Sequence, residues 1–96
     1  MRSYEIMLIL PADADDAVVG AVTDRIAQAL KERGGEVTKT QTWGRRRLSY
    51  EIGHQTEGFY LIVECQAEPT GMKELDRVLT LADDVVRFKV VVRPAA

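Results

Sequence analysis

The densest concentration of chemically useful side chains is Trp43-Gly44-Arg45-Arg46-Arg47-Leu48-Ser49-Tyr50. Three consecutive guanidinium groups supply planar, permanently charged forks that match pairs of phosphate oxygens. The flanking Trp43 and Tyr50 offer flat surfaces for stacking on bases or on the guanidinium planes. In a strand, successive side chains take opposite faces. Three arginines in a row therefore send at least one toward the packed side, unless Gly44 bends the strand away or the strand lies at a sheet edge. The competing reading is an edge strand guarded against aggregation by its own charge.

The remaining reactive residues do not assemble into a catalytic set. His54 is the single histidine and has neither a nucleophile nor metal-ligand spacing around it, so it reads as a solvated loop residue. Cys65 is the single cysteine, which excludes an internal disulfide and a cysteine-rich zinc site; it reads as a small apolar filler on an inward face. Asp13, Asp15 and Asp16 lack the later ligands of a calcium loop and suit a helix N-terminus instead. Asp83 and Asp84 end a helix or make a turn. No catalytic residue, metal site, cofactor or small-molecule substrate is expected.

At 96 residues the chain has room for one domain, residues 1–96, with one modest core. With 46% apolar and 29% charged residues it belongs with folded globular chains rather than disordered ones. No apolar run approaches the length of a membrane span and no signal-peptide pattern opens the chain, so a soluble cytoplasmic protein is expected.

Residues 3–10 read as a buried strand ended by Pro11. The next segment opens with acids and spaces Val18, Val22, Ile26, Ala29 and Leu30 as one helical face, stopped by Gly34 and Gly35, one of them in the left-handed conformation. Residues 36–52 form a second strand with a bulge or bend at Gly44. Residues 53–58 supply a longish hairpin loop before a third strand over 59–65. Thr70 can cap a second helix that buries Leu75, Val78, Leu79 and Ala82. Residues 85–93 alternate Phe88, Val90 and Val92 on a core side with Arg87, Lys89, Val91 and Arg93 on the other.

The order βαββαβ gives an α+β, ferredoxin-like fold: a four-stranded antiparallel sheet with two helices on one face. The other face stays open. If Tyr4, Ile6, Leu8 and Leu10 face the core with Phe59, Leu61, Val63 and Cys65, the open face carries Met7, Ile9, Tyr60, Ile62 and Val91 beside Arg87, Lys89 and Arg93. An apolar strip rimmed by cations is a docking surface; scattered surface aliphatics are the plainer alternative.

The formal charge of −2 argues against a nucleic-acid partner only while it is averaged. Residues 12–36 hold six acids and three bases, and residues 64–84 hold six acids and two bases. Residues 37–53 hold four bases and one acid, and residues 85–96 hold three bases alone. The chain is polarised, with acidic helices and basic strands.

Two other uses of this topology fit poorly. Residues 57–64, EGFYLIVE, overlap the RNA-binding octapeptide of RNA recognition motif domains, but Glu57 stands where a base is expected and Leu61 and Glu64 where aromatics are expected. An acylphosphatase-like enzyme would need a glycine-rich phosphate loop after the first strand, and Pro11-Ala12-Asp13-Ala14-Asp15 would repel phosphate.

Taken in order, Met1-Arg2-Ser3-Tyr4-Glu5-Ile6-Met7, Gly34-Gly35, residues 43–52 (WGRRRLSYEI), Gly58-Phe59-Tyr60, Glu74-Leu75-Asp76-Arg77 and Val85-Val86-Arg87 closely resemble the bacterial small-subunit ribosomal protein S6 family. The resemblance covers nearly the whole chain. It implies a non-enzymatic ferredoxin-like domain that binds small-subunit ribosomal RNA in its central domain, paired with ribosomal protein S18, in the cytoplasm within the ribosome. Ser49 and Glu51 depart from the commoner small apolar or proline choices near Tyr50. The chain ends at Pro94-Ala95-Ala96, without the extended, often acidic tail of some members. On this reading Arg2, Trp43, Arg45, Arg46, Arg47, Tyr50 and Arg87 meet RNA, while Met7, Tyr60, Ile62, Lys89, Val91 and Arg93 meet the protein partner. The alternative is a homodimeric ferredoxin-like small-ligand sensor joined through the open face.

Overall fold

The computed structural model describes residues 2–52 and 55–93, with the side chains of residues 48–52, 55 and 56 outside the description. Strand β1 (Arg2–Leu10) is followed by helix α1 (Asp16–Lys31), strands β2 (Glu36–Ile52) and β3 (Gln55–Ala67), helix α2 (Pro69–Thr80) and strand β4 (Arg87–Arg93). The strands form one sheet in the order β2-β3-β1-β4, and every neighbouring pair is antiparallel. Tyr4, Ile6, Leu8 and Leu10 of β1 and Leu61, Val63 and Cys65 of β3 enter a single core with Val22, Ile26 and Leu30 of α1 and Met72, Leu75 and Leu79 of α2. Both helices therefore cover the same face, and the period-two alternation of the strands leaves the opposite face without a layer.

Local chemistry sets the helix ends. The Asp15 carboxylate accepts the Val18 N–H at 3.0 Å and caps α1, whose acidic first turn suits the positive end of the helix dipole. Gly34, at φ +79°, closes it. Gly35 then lies against β3, where an added Cβ would come within 2.8 Å of the Gln66 carbonyl oxygen, so no larger residue fits without a shift. At α2 the expected Thr70 cap gives way to a cap two residues earlier, at Glu68. Pro69 occupies the first turn after extended Glu68, which makes no side-chain cap hydrogen bond. Proline suits that position because its missing N–H would otherwise need a partner.

Three further expectations change. The hairpin loop is shorter than its turn-rich composition implies, because β3 begins at Gln55 and Ile52 pairs with Gln55. Pairing of that kind draws on backbone groups, which every residue carries, so polar side chains do not stop it. Strand β4 begins at Arg87 rather than 85, since Asp83 and Asp84 occupy a turn and the Val86 N–H donates to the Ile9 carbonyl at 2.8 Å. Val92, expected in the core, is 58% exposed. As the end of an edge strand it has a strand on only one side.

Candidate nucleic-acid interface

The register arranges the open face as a grid. One row runs Arg87, Ile9, Tyr60, Gly44 across β4, β1, β3 and β2; the next runs Lys89, Met7, Ile62, Gln41; a third runs Val91, Glu5, Glu64, Lys39. Each row spans three strand spacings, about 14 Å. The first two rows combine apolar centres with cations at the β4 edge, and Met7, Ile9, Arg87, Phe88 and Lys89 line a hollow of about 300 Å³ there. Arg93, one row further along β4 opposite Ser3, pairs with Glu64 of the third row and lies 3.8 Å from Glu5, so this cation is engaged within the chain.

Beyond its last row with β1, where Leu10 pairs with Phe59 and Phe59 with Arg45, the β2–β3 pair continues alone as a two-stranded arm. Arg46 stands opposite Gly58 and Arg47 opposite Glu57 on this arm, both exposed. The arm departs at a bulge: the register shifts between Thr42 and Gly44, and Gly44 has φ +81°. A left-handed residue at a bulge is where glycine is favoured, and such bulges bend and twist the strand. Trp43, at the bulge, is 47% exposed, and its indole N–H donates to Gln41 Oε1 at 3.4 Å. Arg45, on the helix side, donates from Nε to the Ala12 carbonyl at 3.1 Å. Arg46 donates from Nη1 to the Arg45 carbonyl at 3.1 Å, a contact that keeps its side chain along the strand.

The expected RNA-contacting residues thus divide. Trp43, Arg46 and Arg47 gather at the arm, with Arg45 at its base and Arg87 in the adjoining row. Arg2 does not join them: it pairs with Ala67, eight residues from Leu10 along β1, at the far end of the sheet about 27 Å away. The backbone of Tyr50 belongs to β2, but its side chain lies outside the described residues, and so does all of His54. Among the expected partner-contacting residues, Lys89 and Val91 are exposed and Met7 and Tyr60 half-buried. Ile62 takes the open face by register yet is only 4% exposed. Its cross-strand neighbours are Met7 and Gln41 on the flanking strands.

Lys39 and Gln41 join the open face without having been singled out. Two bulges in β2, at 37–39 and 42–44, reverse the alternation between them and restore it afterwards. Nothing in the side-chain types of Thr38 marks the first bulge, whereas Gly44 marks the second. Away from the face, burial pushes the Cys65 thiol up from 9.0 to about 11, leaving it a neutral core group. On α2 the hydrogen bond from Arg77 holds the Glu74 carboxyl below its usual range. Among the described residues no group of three His, Cys, Asp or Glu side chains could hold a metal ion, and no helix is long and apolar enough to cross a membrane.

A family model described as "Ribosomal protein S6" matches residues 3–92. The chain is 46% identical to "Small ribosomal subunit protein bS6" of Streptomyces coelicolor, over 94% of each chain. It is 45% identical to the protein of that name in Symbiobacterium thermophilum, over 99% of each. Among solved structures, 30S ribosomal protein S6 from Thermotoga maritima superposes with a TM-score of 0.84 at 24% identity, covering 96% of this chain and 87% of that one. The C-terminal domain of the MgtC protein from Mycobacterium tuberculosis superposes with a TM-score of 0.64 at 12% identity, covering 97% and 88%. At these identities the structural likenesses concern the ferredoxin-like fold alone.

Proposed function

The chain belongs to the ribosomal protein S6 family, and from that premise we propose that it binds the central domain of small-subunit ribosomal RNA through its β2–β3 arm and receives ribosomal protein S18 on the open sheet face. It is a structural protein of the small ribosomal subunit and not an enzyme. The observation that carries the RNA assignment is the arm itself: Arg46 and Arg47 stand on a ribbon that leaves the body of the sheet, with Trp43 exposed at its root.

A-form RNA is recognised mainly through its backbone and shape, because its deep major groove is closed to side chains. A narrow ribbon carrying guanidinium forks suits that surface, and Trp43 can stack where a base is splayed out. The acids of residues 12–36 and 64–84 lie mostly on the helices and their flanking turns, on the side away from the open face. RNA is therefore drawn to the arm and repelled from the helical layer. On the sheet, Met7, Tyr60 and Val91 offer apolar contact, and Lys89 and Arg87 rim it. Family membership leaves nothing that favours the homodimeric small-ligand sensor.

Ultraviolet crosslinking of assembled small subunits, followed by mapping of the crosslinked peptides, tests the assignment. Nucleotides attached to the segment containing residues 43–47 are the expected result. Nucleotides attached only to the helical segments 16–31 or 69–80 would overturn it.

A further inference from the structure

The three consecutive arginines look equivalent in sequence, but the fold separates them. Arg45 is the last residue of β2 in the row that still includes β1, so it sits where the arm leaves the body. A two-stranded ribbon has little stability or fixed direction alone. Its angle here is set on one edge by the Gly44 bulge, with φ +81°. On the other side the Arg45 Nε–H reaches past the end of β1 to the Ala12 carbonyl, 3.1 Å away in the β1–α1 turn. That turn has its own order, with the Ala14 N–H on the Pro11 carbonyl at 2.9 Å and Asp15 capping α1. It also carries Asp13, Asp15 and Asp16, whose charge disfavours an approaching phosphate.

We propose that Arg45 is a positioning residue, which fixes the β2–β3 arm to the β1–α1 turn through its Nε–H···O=C bond to Ala12 and is not itself a phosphate ligand. The consequence for RNA rests on the RNA-binding reading above; the consequence for the arm does not.

Two substitutions separate the roles. Glutamine carries its amide nitrogen on Cδ, the position of the arginine Nε, so Arg45→Gln keeps a donor at the same point of the side chain and removes the charge. Arg45→Met keeps a side chain that reaches the same ε position and removes both. Hydrogen exchange of the arm amides, residues 45–52 and 55–58, is read on the full chain without RNA. Arg45→Met is expected to speed it by about fivefold or more, the size of one lost hydrogen bond, while Arg45→Gln leaves it within about twofold. Equal exchange in the wild type and Arg45→Met would overturn the proposal, and so would equal acceleration in both variants.

Affinity for small-subunit ribosomal RNA, with ribosomal protein S18 present, is then followed across salt. Arg45→Gln is expected to match the wild type in affinity and salt slope, whereas a slope shallower by about 1 would identify Arg45 as a phosphate ligand and defeat the proposal. Arg46→Ala serves as the reference: if it also leaves the slope unchanged while Arg45→Met frees the arm, the RNA-binding reading fails and the positioning role stands.

Discussion

Arg46 and Arg47 take opposite faces of a ribbon two strands wide, so a single RNA backbone can meet one directly and the other by wrapping the ribbon's edge. Residue-scale differences of this kind decide what each substitution tests. Ile62 is 4% exposed, so Ile62→Asp would place a carboxylate in a nearly closed apolar site and cost about 3 kcal/mol or more. Loss of partner binding in that variant would report unfolding. Val91, 44% exposed beside Glu5, is the cleaner probe. Val91→Lys is expected to change stability by no more than about 0.5 kcal/mol while weakening pairing with ribosomal protein S18, read by calorimetry with a thermal melt as control. Unweakened pairing would remove Val91 from the partner surface.

Cys65 allows a test of the core register. Its pKa is raised by burial to about 11, so between pH 9.0 and about 11 the native thiol keeps a proton that the unfolded chain has lost. Stability contributed by this group is complete below pH 9.0 and declines through that window. Denaturation midpoints of the wild type should fall more steeply there than those of Cys65→Ala; parallel curves would show the thiol to be solvated. The inward setting of Cys65 was legible from alternation alone. The near-burial of Ile62 was not, because it depends on which residues the flanking strands place on either side.

At the scale of elements, the bulge and the arm matter most. Gly44 has no atom within 4 Å of an added Cβ, so Gly44→Ala meets no clash and its cost is conformational. At φ +81° that cost is about 1–2 kcal/mol. Urea denaturation should show this loss, with weaker RNA binding if the arm relaxes to another angle; no loss of stability would mean that the bulge does not hold the left-handed conformation. The order of elements, the α1 face and the Gly44 irregularity were all readable from spacing and residue type, whereas on α2 Leu75 and Leu79 were legible but Ala82 lies past the end of the helix and the buried Met72 was missed. The length of the arm was not. Residues 55–58 combine Gln, Thr, Glu and Gly, which side-chain propensity assigns to a turn, yet cross-strand backbone bonds extend β3 through them. Likewise Val92 alternates correctly for a core position, but exposure at an edge strand follows from sheet order, which local pattern does not carry.

For the whole molecule, the net charge of −2 conceals a dipolar arrangement. The fold separates the signs in space: acids concentrate in and around the helical layer, and Arg46, Arg47, Arg87 and Lys89 collect at the arm and the nearby end of the open face. Block charges along the chain anticipated this separation. They did not anticipate that Arg2 falls at the opposite end of the sheet, or that Arg93 is engaged with Glu5 and Glu64, because both follow from register. The cationic cluster at this end of the sheet is therefore smaller and more local than the sequence implied.

The central claim is that the arm arginines carry phosphate contacts, and the salt dependence of RNA affinity addresses it directly. Affinity of the chain for central-domain small-subunit ribosomal RNA, with ribosomal protein S18 present, would be measured over a range of salt for the wild type and for the double variant Arg46→Ala/Arg47→Ala. The account predicts binding weaker by about tenfold or more at low salt and a log–log slope shallower by about 1.5, because two fewer phosphates are neutralised. An affinity and slope equal to those of the wild type would contradict it.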